Sequence, residues 1–408
     1  MSLGRKLLPT VLILVSVVLS LALCEAALRW INFSPARELQ IDLRATTTHD
    51  PVRGWRNRPG TEAVVSTPEF KVMVRYNGRG IRGPEVTLPK PPGVYRILLL
   101  GDSFTDASAL AQEDRVSENL ARMLNAGDAR RRYDVVPMGN SGYSTDQELL
   151  WLEAEGLDLS PDLVILMFYE NDLTGNVSAR HKGGAEKPLF RFQNGALTLT
   201  NVPVPLPGDR TPANGSRTGQ TRPWIDRLRF RLRAELNETK TAELVRHTIA
   251  YSPRLRKLLG VSGTLSNRLD LYRRSPGRRI EEGWRVTEAL LARMKAGLGK
   301  AGVPLHIFFI PARWSVEPEE WVSELTLRSL EAAEYDPNEM ARRMVGICER
   351  LSLTCLEPTA RFVEAAREGK SKGENLYYRV DPHWNRNGHR VAAEILAQHI
   401  RRLRGAVP

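Results

Sequence analysis

The sequence predicts a three-layer α/β domain on a parallel sheet, spanning residues 94–408. Two observations predict it: apolar runs without polar alternation, and helical windows lying between them. A strand covered on both faces has no polar side to present, so its apolar residues follow one another without interruption. The runs YRILLL (95–100), DLVILMF (162–168) and PLHIFFI (304–310) have this character. Strands of this kind alternating with helices make a parallel sheet with helices on both faces.

Taken in chain order, residues 1–27 form a membrane anchor or signal segment. Eighteen uncharged residues, LLPTVLILVSVVLSLALC, lie between Lys6 and Glu25, just the length that can span a bilayer. Arg5 and Lys6 before the run orient the N-terminus to the cytoplasm. The expected localisation is a single-pass membrane protein whose body is extracytoplasmic, periplasmic or extracellular. A cleaved signal peptide is the rival, because Ala22, Ala26 and Ala27 supply small residues for a cleavage site. Residues 28–93 are rich in turn formers, HDPVRGW, NRPG and LPKPPG, and read as a β-rich lead-in. An N-G step within VMVRYNGRGIRG marks a hairpin there.

The first strand, 95–100, ends at Gly101 and leads to a helix over 115–124. A strand at 133–137 leads to a helix over 147–157, and 162–168 is the next strand. An insertion interrupts the pattern at about 174–280. Beyond it come a helix over 281–298, the strand 304–310, a helix over 339–351, the strand 354–356 and a closing helix over 391–403. Within the insertion, residues 222–280 hold fifteen Lys/Arg and five Asp/Glu, +10 of the chain's +12. WIDRLRFRLRAEL fits a helix face through 224, 228, 232 and 236, or a strand through 228, 230 and 232. The segment reads either as a solvated basic face or as a contact with anionic lipid. No nucleic-acid recognition motif accompanies it.

A composition of 42% hydrophobic and 26% charged residues excludes a disordered chain. Three cysteines exclude a disulfide scaffold and lack paired zinc-ligand spacing. Cys348 and Cys355 could be an oxidised pair joining a helix end to the next strand, or two buried thiols. Neither a glycine-rich phosphate loop nor an HExxH motif is present.

The residues that carry chemistry sit at strand ends. Ser103, in LLLGDSFTDA, follows the first strand, where a parallel sheet presents groups at its carboxyl edge. In DPHWNRNGH, Asp381 and His383 are two apart and Pro382 favours an extended backbone before it. Residues i and i+2 then share a side, so the carboxylate can hold imidazole Nδ1–H while Nε2 takes a proton from a serine. Gly142 in GNSGYSTDQ and Asn171 in YENDL follow the second and third strands. With the Ser103 amide, their N–H groups would make an oxyanion hole.

These four blocks resemble those of the SGNH/GDSL hydrolase superfamily. The likeness covers roughly residues 94–175 and 281–408. It implies a flavodoxin-like three-layer sandwich that needs no cofactor and no metal. It also implies roles: Ser103 as nucleophile, Gly142 and Asn171 as oxyanion donors, His383 as base and Asp381 as its orienter. Two departures stand out. Tyr169 occupies the place of a common glycine in the third block, and the last block is D-x-H rather than D-x-x-H. The D-x-H-W-N form is similar to a membrane-associated branch that includes O-acetyltransferases of exopolysaccharides.

The expected function is therefore a membrane-anchored serine esterase or O-acyltransferase acting on acyl, above all acetyl, esters of a glycan. A lipolytic esterase or thioesterase of the same fold is one alternative. A non-catalytic subunit that binds glycan or membrane is another.

Overall fold

The computed structural model describes residues 3–30, 46–67, 69–127, 132–181, 184–206, 239–241, 244, 245, 248, 268–328, 330–379 and 381–405. The chain divides into two compact units. One comprises Met1–Leu39, Pro212–Ser266 and Thr326–Leu330; the other comprises Gln40–Thr211, Asn267–Leu325 and Glu331–Pro408.

In the first unit, helix α1 runs over Leu3–Trp30. Near its end Glu25 accepts the amides of Lys240 at 3.1 Å and Thr241 at 2.8 Å. The apolar run of residues 7–24 lies on this helix, and Glu25 and Arg29 follow it. Among the described residues no helix is long and apolar enough to cross a membrane. The side chains of residues 7–11 and of Leu14, part of that run, lie outside the described ones. So does most of the basic stretch 222–280, including WIDRLRFRLRAEL.

The second unit holds the sheet. Its strands are β5 (Val94–Gly101), β6 (Arg132–Gly139), β7 (Leu163–Phe168), β10 (Leu305–Phe309) and β11 (Thr354–Leu356). They are ordered β11-β10-β7-β5-β6, and every pair is parallel. Ile97 of β5 is registered between Val135 of β6 and Leu163 of β7. The chain thus starts one strand in from an edge, steps out to that edge at β6, and then crosses back past β5 to β7, β10 and β11. In a sheet of this order ligands bind where the direction reverses, beyond the carboxyl ends of the strands. That point is the end of β5, and Ser103 stands two residues past it.

The expected continuous apolar runs are the core. Ile97 to Leu100, Val164 to Phe168, Ile307 and Phe308 have no exposed surface. Helix α3 (Val116–Gly127) packs on α11 (Arg386–Gly405). Helices α4 (Thr145–Trp151) and α5 (Glu170–Gly175) pack on α6 (Arg278–Lys300). These two groups are the outer layers of the sandwich. The helix expected over 147–157 starts earlier and gives way to a π-helical turn over Leu152–Gly156. Helix α9 (Glu339–Arg350) precedes β11 as expected. Helix α10 (Thr359–Lys370) does not follow from the apolar spacing used above; Phe362 on it stacks on Trp384 at 5.0 Å. Cys348 on α9 and Cys355 on β11 are thiols in hydrogen-bond contact, so the oxidised pair is not the arrangement found.

The lead-in packs against the carboxyl end of β5 and β6. It forms two antiparallel hairpins, β1 (Thr47–Asp50) with β2 (Gly54–Asn57), and β3 (Glu62–Ser66) with β4 (Lys71–Arg75). The N-G step is not a full hairpin. It closes a tight turn, Gly80 N–H to Asn77 O at 2.9 Å, with a single bridge from Tyr76 to Arg82. The described part of the insertion holds another hairpin, β8 (Leu189–Gln193) with β9 (Ala196–Thr200). Its Asn194-Gly195 turn has φ of 51° and 82°, the pair of positive values that matches strand twist.

Arg82 fastens lead-in to sheet. Buried with no room for water, its guanidinium donates to the carbonyls of Asp106, Ala107 and Leu110 just past Ser103. Arg82→Ala strands three carbonyls in the core, and we expect a loss of about 3 kcal/mol or more in urea unfolding. A loss under about 1 kcal/mol would show that water replaces the side chain.

Candidate active site

The loop after β5 sets the serine. Asp102 caps the short helix α2 (Ser103–Asp106) by accepting the Phe104 amide at 2.9 Å. This leaves Ser103 at the first helical position with its side chain half-buried. Its Oγ lies 2.7 Å from His383 Nε2. His383 Nδ1 lies 2.5 Å from Asp381 Oδ1, and the His383 amide donates to the same oxygen at 2.8 Å. Asp381 is thus held by ring and backbone together, as the extended D-x-H spacing predicts. The carboxylate side chain is 3% exposed and the imidazole 27%, so solvent reaches the ring but scarcely the acid.

Burial works to lower the His383 pKa. The Asp381 hydrogen bond and charge, with Asp102 beyond, outweigh it and hold the imidazole above its ordinary 6.5. Asp381 itself is shifted down, because its bonds to His383 outweigh burial. The Phe104 ring lies 4.8 Å from the His383 ring and is itself packed edge-on against Trp384 at 4.9 Å.

The turn after β6 brings Gly142 to the same place. Asn140 N–H donates to Gly101 O at 3.2 Å, and Tyr143 N–H closes the turn on Asn140 O at 3.1 Å. Gly142 sits at the turn's third position with φ 80°, which favours glycine. Its own amide takes no part in that closure. A second reason for glycine is packing: a Cβ at 142 would stand 2.8 Å from His181 Nε2. His181, from the start of the insertion, rests edge-on against Trp55 at 5.5 Å. Trp55 Nε1–H in turn donates to Ser141 O at 3.1 Å.

Asn171 begins α5 after β7, and its carboxamide hydrogen-bonds the Asp102 carboxylate. An amide nitrogen carries two hydrogens, so this bond leaves one for a substrate oxygen. Tyr169, in the place of the common glycine, is buried with its ring 4.5 Å from Phe104. Its hydroxyl accepts from Arg268 Nη2 at 2.6 Å. Arg268 also pairs with Glu170, which accepts the Tyr272 hydroxyl.

All five residues singled out by sequence therefore gather at the carboxyl end of the sheet. Several neighbours escaped sequence reading. Four carboxyl side chains, Asp102, Asp146, Glu148 and Asp172, lie fully buried behind the serine turn. Lys187 Nζ binds both Asp146 oxygens, at 2.8 and 2.5 Å, and Gly175 O at 2.9 Å. Burial, and then the charge of the neighbouring carboxylates, push Glu148 and Asp172 well above the usual carboxylate range. Acids on helices read as solvated when the sequence is scanned, and only the fold shows them inside. His389, buried on α11, accepts on Nδ1 the amide of Val116, the first residue of α3, at 3.2 Å. Burial, followed by the charges of His383, Arg115 and Arg82, takes its pKa down to about 3. His306 lies within β10, bonded to His399 at 3.0 Å.

Residues 272–407 match the family described as the SGNH hydrolase-like domain of acetyltransferase AlgX. The chain thus carries SGNH hydrolase-like sequence, as its motifs implied, and the match includes Asp381 and His383. Among solved structures the chain is similar to the acetyl xylan esterase AlAXEase, at 12% identity, covering 75% of this chain and 99% of that one, TM-score 0.39. It is similar to a catalytic mutant of Axe2, an acetylxylan esterase from Geobacillus stearothermophilus, at 14% identity, 75% and 94% coverage, TM-score 0.38. A lipase/acylhydrolase from Enterococcus faecalis matches at 12% identity, 76% and 96% coverage, TM-score 0.36. No curated protein matches the chain.

Gly142→Ala forces a side chain into positive φ and against His181 at once. We expect it to cost about 1–3 kcal/mol, with part of that loss recovered in Gly142→Ala/His181→Ala. Equal losses in the single and double variants would show that backbone strain alone is responsible.

Proposed function

We propose that the protein is a serine esterase or O-acyltransferase that forms an acyl-enzyme on Ser103. The observation that carries this reading is the unbroken hydrogen-bonded chain from Ser103 Oγ through His383 to Asp381. A hydroxyl is a poor nucleophile until a neighbouring base takes its proton.

Ser103 Oγ attacks the ester carbonyl carbon as His383 Nε2 takes the hydroxyl proton. Negative charge moves to the carbonyl oxygen, facing the Ser103 and Gly142 amides and the Asn171 carboxamide. Removing one such donor costs on the order of 3 kcal/mol in activation free energy. The tetrahedral adduct collapses as His383 gives its proton to the departing alcohol oxygen. Water or a sugar hydroxyl then loses a proton to His383 and attacks the acyl carbon, and as this second adduct collapses His383 returns the proton to Ser103 Oγ and the acid or new ester departs. Asp381 steadies the imidazolium in both halves.

The acyl group we favour is acetyl and the alcohol a polysaccharide hydroxyl. The support is the match over residues 272–407 to a domain described as an acetyltransferase, together with the D-x-H-W-N block. A non-catalytic subunit would have no physical need of the whole set of aligned groups. We place the reaction outside the cytoplasm, on two grounds. The sequence begins with Arg5 and Lys6 before an apolar run, and Leu12, Ile13, Val18 and Leu23 of α1 are exposed. No partner for the basic stretch 222–280 beyond solvent or anionic lipid is needed by this reading.

Ser103→Ala should abolish turnover of p-nitrophenyl acetate or of acetylated glycan, and so should His383→Ala. Full activity in either variant would sink the reading. The base acts only when neutral, and its pKa is raised. The rate should therefore be complete at alkaline pH and fall as pH drops through a midpoint above 6.5. Asp381→Asn removes the charge and the charged hydrogen bond that do most to raise that midpoint and leaves burial opposed by Asp102 alone, so residual activity should fall off at lower pH. We expect kcat to drop by roughly four orders of magnitude in the same variant. A pH profile unmoved by Asp381→Asn would contradict the assignment.

A further inference from the structure

We propose that Glu69, on the lead-in hairpin, is a positioning residue that clamps the loop carrying Asp381 and His383. The inference rests on the function proposed above. The loop is a hairpin whose base is well tied. Tyr377 bridges Trp384, Tyr378 N–H donates to His383 O at 3.1 Å, and Asn385 N–H donates to Leu376 O at 3.0 Å. Asp381 stands beyond that base, toward the tip. There the amide of Arg379 donates to Glu69 Oε1 and the amide of Asp381 to Glu69 Oε2, each at 2.8 Å. The Arg379 carbonyl accepts from Arg313 Nη1 at 3.0 Å.

Glu69 is itself held in place. Thr67 Oγ1 accepts the amides of Glu69 and Phe70, both at 3.2 Å, and Thr67 N–H closes the turn on Phe70 O at 2.8 Å. The Phe70 ring lies 5.1 Å from Tyr378 at the base of the loop. One acidic side chain on a braced turn therefore reaches across 312 residues of sequence to the amide of Asp381.

The chemistry of the two bonds calls for a carboxylate. Each amide needs its own acceptor oxygen, and only an ionised carboxyl offers two that are both free of hydrogen. Glutamine has one acceptor and would set an N–H against an amide. Aspartate is one methylene short and cannot reach both. The Asp381 amide fixes where its carboxylate sits, and that carboxylate fixes the imidazole. A shift of about 1 Å in such a group can cost on the order of a hundredfold in rate. The charged groups that face His383 are Asp381, Asp102 and Arg268, so Glu69 reaches the ring through Asp381.

The test uses the full chain with histidine labelled at the ring carbons, and follows the His383 titration by NMR in wild type, E69Q and E69D, with H383A to assign the signal. Melting temperature and p-nitrophenyl acetate turnover over pH 5–9 are measured beside it, with S103A as control. We expect the His383 midpoint to fall by about half a unit or more in both variants, a threefold or larger loss in proton affinity. We expect kcat to fall tenfold or more with KM little changed. A purely structural role would lower the melting temperature and leave the midpoint of the folded protein where it was, and that result would overturn the proposal. E69D behaving as wild type would also overturn it, because charge without reach would then suffice. Turnover that persists in S103A would refute the esterase reading, while the His383 midpoint would still decide the role of Glu69.

Discussion

The catalytic end of the molecule depends on a carboxylate that water does not reach. Asp106, at the end of α2, is fully buried. It accepts from the Tyr76 hydroxyl at 3.2 Å and from Ser141 Oγ at 3.0 Å. The first partner belongs to the lead-in and the second to the turn that carries Gly142. Burial pulls its pKa upward and the nearby Arg82 and Arg115 pull it back. A buried charge without such partners is costly, so the groups around it are constrained to stay. The serine turn, the glycine turn and the lead-in thereby share one anchoring point.

A second consequence of burial concerns the acids behind the serine. Four carboxyl groups with one lysine cannot all be ionised in a low-dielectric interior, because desolvation and mutual repulsion act in the same direction. Glu148 and Asp172 are both held well above the usual carboxylate range, by burial first and then by neighbouring carboxylates. Asp146 keeps the lysine and Asp102 keeps the Phe104 amide and Asn171. Asp102 thereby links this buried cluster to Asn171 and, after Asp381, is the next carboxylate to act on His383.

Much of this arrangement was legible before any coordinates. Runs such as Leu163–Phe168 betray a strand covered on both faces, because no water-facing residue interrupts them. The i, i+2 relation of Asp381 and His383 follows from proline and extended backbone alone. What stayed hidden has a common physical cause. Glu69, His181, Lys187 and Glu148 act across distances in sequence that no local period encodes, and each resembles an ordinary surface residue. Helix α10 was missed for a related reason: its apolar face, Phe362 and Ala365, is thin and is completed by Trp384 from elsewhere. The N-G step misled in the other direction. Asn77-Gly78 supplies turn chemistry, but the strands it was expected to join are already paired, β4 with β3.

The separation between Ser103 and His383 carries a consequence in time. Ser103, the proposed nucleophile, is synthesised 280 residues before His383, its proposed base, and Glu69 of the lead-in is made earlier still. At about 5–20 residues per second, roughly 15–60 s pass between the two. Throughout that interval the growing chain possesses a serine without a proton acceptor. On the proposed mechanism, ester chemistry begins only when the hairpin carrying His383 docks, so a nascent or C-terminally clipped chain would be inert toward acyl esters.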